Sequence, residues 1–128
     1  MFMNFEIVWE PPRGVVKRHF GHVTGNDVLA ANTKTEADPR FDSLRYVIND
    51  FLGCTGVSVS SAELEEIAAI DRAAALINPN ISLAMVAVLP EIVAAANAYA
   101  NDTLTIYPTR VFCSMADARA WLGLEQAI

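Results

Sequence analysis

Charge is scarce in this chain: 19% of 128 residues are charged, two are histidine and two are cysteine. Each shortage excludes something. The longest apolar stretches, Ala84–Leu89 and Ile92–Ala96, are separated by Pro90 and Glu91, far short of the roughly 20 residues that span a bilayer. Cys54 and Cys113 match no metal-ligand or redox spacing. Met1–Glu6 (MFMNFE) has no basic region, so no signal peptide is expected. Reduced thiols and a cytoplasmic location follow as expectations. Cys54 lacks a basic neighbour that would lower its pKa. There is no G-x-G-x-x-G or G-x-S-x-G, and no cofactor is expected. Nine Lys and Arg against fifteen Asp and Glu give a net charge of −6, the wrong sign for a generic nucleic-acid binder.

What is present is apolar material. At 53% hydrophobic the chain is too apolar for disorder, and its length suits one domain over 1–128 with a sizeable core. Phe5–Glu10 alternates like a strand. The turn Pro11–Gly14 leads to a second strand, Val15–Val23, and the pair suggests an antiparallel hairpin. Thr24 and Asp27 form a weak capping box for a helix over Asn26–Thr35. Ala37–Ser43 reads as a loop. Leu44–Phe51 is the most convincing strand, with apolar residues on both faces, and such a strand belongs inside a parallel or mixed sheet. Gly53–Ser58 reads as a loop. Ser60 and Glu63 then cap a helix over Ser61–Ile77 whose inward face is Leu64, Ile67, Ala68, Ala74 and Ile77. Ile81–Leu89 is a buried strand, and Pro90 starts a helix running to Ala100. A short strand spans Thr103–Tyr107 or Thr109–Phe112, and Ser114 with Asp117 caps a last helix. The order β-β-α-β-α-β-α-β-α predicts an α/β domain: a mixed sheet of five strands with about four helices and a leading hairpin.

Two segments carry a resemblance. Asp50-Phe51, a glycine-containing loop and Ser60-Ser61 opening a helix resemble the strand–loop–helix of the SpoIIAA-like group, related to STAS domains (anti-sigma-factor antagonists). Arg110-Val111-Phe112 followed by Ser114 and Asp117–Leu122 is similar to that group's closing strand and helix. The resemblance implies the same mixed-sheet fold and a non-enzymatic regulatory or interaction role. It further implies a protein partner, or a small or lipid-like ligand as in the more distant SEC14-like relatives. It also implies that Ser61, beside Ser60, is the phosphorylation candidate. Val59 and Ala62 stand where that group has an acid and a glycine.

Candidate site residues cluster at the junction of strand 44–51 with helix 61–77. Ligands of parallel sheets bind beyond the carboxyl ends of strands, where Asp50 is placed; its alternative role is to cap the following loop. Ser58, Ser60 and Ser61 approach a helix N-terminus, whose free N–H groups favour anions, although Glu63, Glu65 and Glu66 oppose one. Ser60 as a simple N-cap is the commoner role. His19 and His22, three apart in a strand, point to opposite sides and read as surface or edge histidines, not metal ligands. Arg13, Lys17 and Arg18 read as edge protection. Helix 91–100 is apolar nearly all round, which suggests cover by a second copy in a homodimer; the first helix or Leu124 and Ile128 could cover it instead. The favoured function is a regulatory or interaction module without catalysis. The alternatives are a small enzyme pairing Asp50 with a Ser or His, and a purely structural homodimer.

Overall fold

The computed structural model describes residues 4–102 and 105–124. In chain order the elements are β1 (Phe5–Glu10), β2 (Gly14–Thr24), α1 (Gly25–Glu36), a 3-10 turn at Pro39–Ser43, β3 (Tyr46–Ser58), α2 (Ser61–Ala75), β4 (Ser82–Val86), α3 (Pro90–Ala100), β5 (Thr109–Phe112) and α4 (Met115–Trp121). The sheet order is β1-β2-β3-β4-β5, antiparallel for the first pair and parallel for the rest. The α/β class, the five-stranded mixed sheet, the four helices and the leading hairpin are as the sequence predicts.

This strand order decides where the helices go. Three consecutive parallel crossovers all step the same way along the sheet. Crossovers of one hand stepping one way deliver their helices to one face. Accordingly Ile67, Ala68 and Ala74 of α2 and Ala96 and Tyr99 of α3 share a core with Val15, Val47, Leu83 and Met85, and Val28 and Leu29 of α1 pack against it. The alternate residues Val16, Ile48, Ala84 and Val86 point to the other face, where Ala118, Met115 and Trp121 of α4 cover them. Helix starts follow local chemistry. Thr24 with Asp27 and Ser60 with Glu63 form reciprocal capping boxes, and Pro90 opens α3.

Several sequence expectations are corrected. Gly53–Ser58 is not a loop: β3 continues to Ser58, paired with β2 through Thr24, with two register shifts that place extra residues in β3. Its glycines mark close approaches. A Cβ at Gly53 or at Gly56 would come within 2.9 Å of the Phe20 or His22 ring. The hairpin turn has three residues, because Gly14 pairs with Glu10. β3 starts at Tyr46, β4 covers only Ser82–Val86, and α2 ends at Ala75. The last strand is Thr109–Phe112; residues 103 and 104 of its rival lie outside the described residues, as does Ile128. Lys17 does not guard an edge. β2 lies between β1 and β3, and Lys17 is 6% exposed on the side of α1–α3. His19 is likewise buried, its ring stacked on Phe51 at 4.9 Å between centroids. Helix α3 buries Ile92, Ala96 and Tyr99, and its outward positions Ala94, Asn97 and Ala98 are small or polar.

The first and last elements are tied by one ion pair. Arg119 of α4 donates from Nη1 and Nη2 to Glu10 Oε1 and Oε2 at 3.0 and 2.6 Å, and the Tyr46 hydroxyl donates to Glu10 Oε1 at 2.5 Å. Tyr46 reaches Glu10 by lying flat over Gly14, where a Cβ would sit 1.9 Å from its Cζ. Gly14→Ala therefore has to displace Tyr46. It is expected to cost about 2 kcal/mol in urea unfolding, as overpacking does. Arg119→Ala is expected to cost about 1–3 kcal/mol, the range for hydrogen bonds to a charged group. Because both act on Glu10, the double variant should lose less than the sum; strictly additive losses would show that the two contacts are independent.

Candidate functional site

A cavity of about 70 Å³ lies between the sheet and α1–α3. That is well above the roughly 10–15 Å³ that a single water needs. Its lining is polar at one end and apolar at the other. The polar end is Lys17 of β2, Asn32 of α1, Asn49 of β3, Asp71 of α2 and Tyr99 of α3; the apolar end includes Val23, Val57, Val59, Leu64 and Ile92. Lys17 and Val23 are six positions apart on β2, roughly 20 Å at about 3.3 Å per strand residue. The polar residues are buried apart from the part-exposed Asn49, whereas Val28, Val57, Val59 and Leu64 are also part-exposed. The cavity thus opens at the carboxyl rim, where β3 turns into α2, and its charged end lies deep.

The sequence puts those polar groups inside through ordinary periodicity. Lys17 alternates with Val15 and His19, all buried. Asn49 follows Val47 at the strand period and stands opposite Lys17 and Met85. Asp71 falls on the helical stripe of Ile67, Ala68 and Ala74. Lys17 Nζ donates to Asn32 Oδ1 at 2.7 Å. The Tyr99 hydroxyl donates to Asp71 Oδ2. The Asn49 amide makes no hydrogen bond among the described residues.

Burial governs the electrostatics here. It lowers the Lys17 pKa, against the pull of Asp71 and Glu36. It raises Asp71, against the Tyr99 hydrogen bond and Lys17. It pushes Glu36, at the end of α1, up to about 7, with Asp71 adding and Lys17 opposing. It pulls His19 down to about 4, with Lys17 adding and Asp27 opposing, so the imidazole is neutral at pH 7.

The residues singled out from sequence fall in two places. Ser58, Ser60 and Ser61 are together at the rim. Val57 and Val59 line the cavity while Ser58 and Ser60 between and after them are exposed. Ser58 Oγ lies 2.7 Å from His22 Nε2. Ser60 Oγ accepts from the Glu63 N–H at 3.1 Å, and Glu63 Oε1 accepts from the Ser60 N–H at 2.9 Å. Ser61 is the first residue of α2 and exposed. Asp50 is not among them. It does not close its strand, and it shares the α4 side of the sheet with Ile48. There its Oδ1 accepts from the Leu52 N–H at 2.9 Å, and its Oδ2 lies 3.9 Å from Arg18 Nε. Of the deep residues, Lys17 reads from sequence as edge protection, and Asn32, Asn49, Asp71 and Tyr99 are not read there as site residues. The available signal was a charge or amide set within an apolar period, Asp71 among alanines and isoleucine above all.

Two groups make stability depend on pH with opposite signs. His19 titrates near 6.5 unfolded and about 4 folded. The unfolded chain therefore binds more protons in that window, and stability falls on acidification. Glu36 titrates at 4.5 unfolded and about 7 folded. The folded chain binds more protons there, and stability rises on acidification. Glu36→Gln removes the second effect alone. Its melting temperature should exceed the parent's at pH 8 and fall more steeply between pH 6.5 and 4.5; parallel curves would contradict the assignment.

No protein-family model matches the sequence, and no curated protein does. Solved structures do match. The anti-sigma factor antagonist SpoIIAA in its unphosphorylated form superposes with a TM-score of 0.60 at 10% identity, over 93% of this chain and 97% of that one. An uncharacterized DUF3478-family protein with a SpoIIAA-like fold, from Shewanella loihica PV-4, superposes with a TM-score of 0.55 at 16% identity, over 92% and 91%. With its hairpin-led mixed sheet, three helices on one face and one on the other, this chain has the SpoIIAA-like fold.

Proposed function

We propose that the chain is a non-enzymatic binding module of the regulatory type suggested by its fold. Its site is the cavity between β3 and α2, and its ligand is a slender, largely apolar small molecule. One observation carries this reading: the space between sheet and helices is left unfilled and runs from a buried polar end to an apolar opening at the carboxyl rim. That rim is the usual ligand edge of parallel sheets. Ser58, Ser60 and Ser61 edge the mouth, where ligand occupancy would be felt by anything docking on the exposed serines.

Other features support binding over catalysis. Burial, with Asp50 and Asp27, pushes the Cys54 thiol up to about 11, which makes it a poor nucleophile at neutral pH. Asp50, the acid of the enzymatic alternative, faces the other side of the sheet, bonded to a backbone amide. Among the described residues no helix is long and apolar enough to cross a membrane.

Ala95 of α3 lines the cavity and is only partly buried, so a larger side chain there can enter the space without forcing the core apart. Native mass spectrometry of protein purified without detergent should show a non-covalent adduct that is lost on denaturation. Ala95→Phe should abolish the adduct while leaving the melting temperature equal or higher, as cavity filling does. An adduct retained by Ala95→Phe, or a bare chain that no apolar compound stabilises, overturns the reading.

A further inference from the structure

We infer that the ligand is uncharged: an apolar chain with one hydroxyl or carbonyl head, seated head-inward against Lys17 and Asn49. This rests on the cavity being a ligand site, and adds the chemistry of what it takes.

The lining carries one basic and one acidic side chain, Lys17 and Asp71, both buried. They come from facing elements and act on each other through charge, with Glu36, outside the lining, a further acid within reach of both. A carboxylate or phosphate head beside Lys17 would bring a second negative charge next to Asp71, and an ammonium head would add a second positive charge next to Lys17. A buried charge without a counter-charge is strongly unfavourable. A neutral head adds neither charge.

The same end of the cavity also has unused hydrogen-bonding capacity. An ammonium has three N–H donors, and Lys17 uses one, on Asn32. Asn49 sits in the middle of the sheet, beside Lys17 in the register, and its amide is unbonded among the described residues. Part-exposed and lining the cavity, that amide is free to bond whatever enters. Lys17 and Asn49 together offer donors to an oxygen and an acceptor to a hydroxyl proton. Beyond them the lining is Val23, Val57, Val59, Leu64 and Ile92, which suits only a hydrocarbon tail directed to the rim.

The test uses decan-1-ol, decanoate and decylammonium at pH 7.5, each below its aggregation concentration. Thermal stabilisation is read for the parent, Ala95→Phe and Asn49→Leu. Decan-1-ol should stabilise the parent at a concentration at least tenfold lower than either charged analogue. Asn49→Leu should keep the parent fold by circular dichroism and lose most of that advantage. Lys17→Met is avoided because it strands Asp71 and can prevent folding. If decanoate or decylammonium equals or exceeds the alcohol, the uncharged head is wrong and the cavity site stands. If stabilisation persists in Ala95→Phe, or no compound stabilises the parent, the cavity reading itself falls with it.

Discussion

The geometry of this protein depends on one constraint, the direction in which the chain crosses its sheet. After the hairpin every strand is added on the same side of the last, in parallel, through a helix. Three helices therefore compete for one face of a five-stranded sheet, and one short helix, α4, is left for the other. The crowded face holds the larger core, and there the layers part around Lys17. On the α4 side Val8, Phe20 and Leu52 stay substantially exposed.

Lys17 brings a charge into the crowded face, at one end of its cavity. An ammonium inside a sheet–helix interface needs an acceptor and opposite charge; Asn32 of α1 supplies the first, and Asp71 of α2 and Glu36 of α1 the second. Apolar residues of similar volume would often pack such a site with no loss of stability. The polar set instead links β2 to α1 through Lys17 and Asn32 and lines one end of the cavity. Tyr99 of α3 completes the arrangement by bonding Asp71. All three helices thus contribute to one small polar cluster at one end of the cavity.

Most of the fold was legible in the sequence, because capping boxes, prolines and two-residue alternation are local signals. Ser60 with Glu63, Thr24 with Asp27 and Pro90 mark helix starts as they stand. Glycine misled. Gly53 and Gly56 read as a loop, yet they lie in a strand where Phe20 and His22 cross over them, a requirement set by the partner strand and invisible in the segment itself. The candidate site was half legible. The rim serines belong to the local signature of a helix start, whereas Lys17 and Asp71 acquire their meaning only when β2 proves internal and α2 turns that stripe inward. Asp50 was misplaced by the same error as the glycines, since a strand taken to end at Phe51 puts its acid at the rim.

The Glu10–Arg119 ion pair closes a loop of 109 positions. Closing so long a flexible loop carries an entropic penalty of roughly 4 kcal/mol, beyond a constant, by the logarithmic loop law, more than one such contact returns. The two residues can hold together only after the intervening strands have already brought them within reach. The bridge is therefore a latch on a finished sheet and cannot seed one. In folding it belongs to the late, native side of the barrier, where it slows opening without hastening assembly.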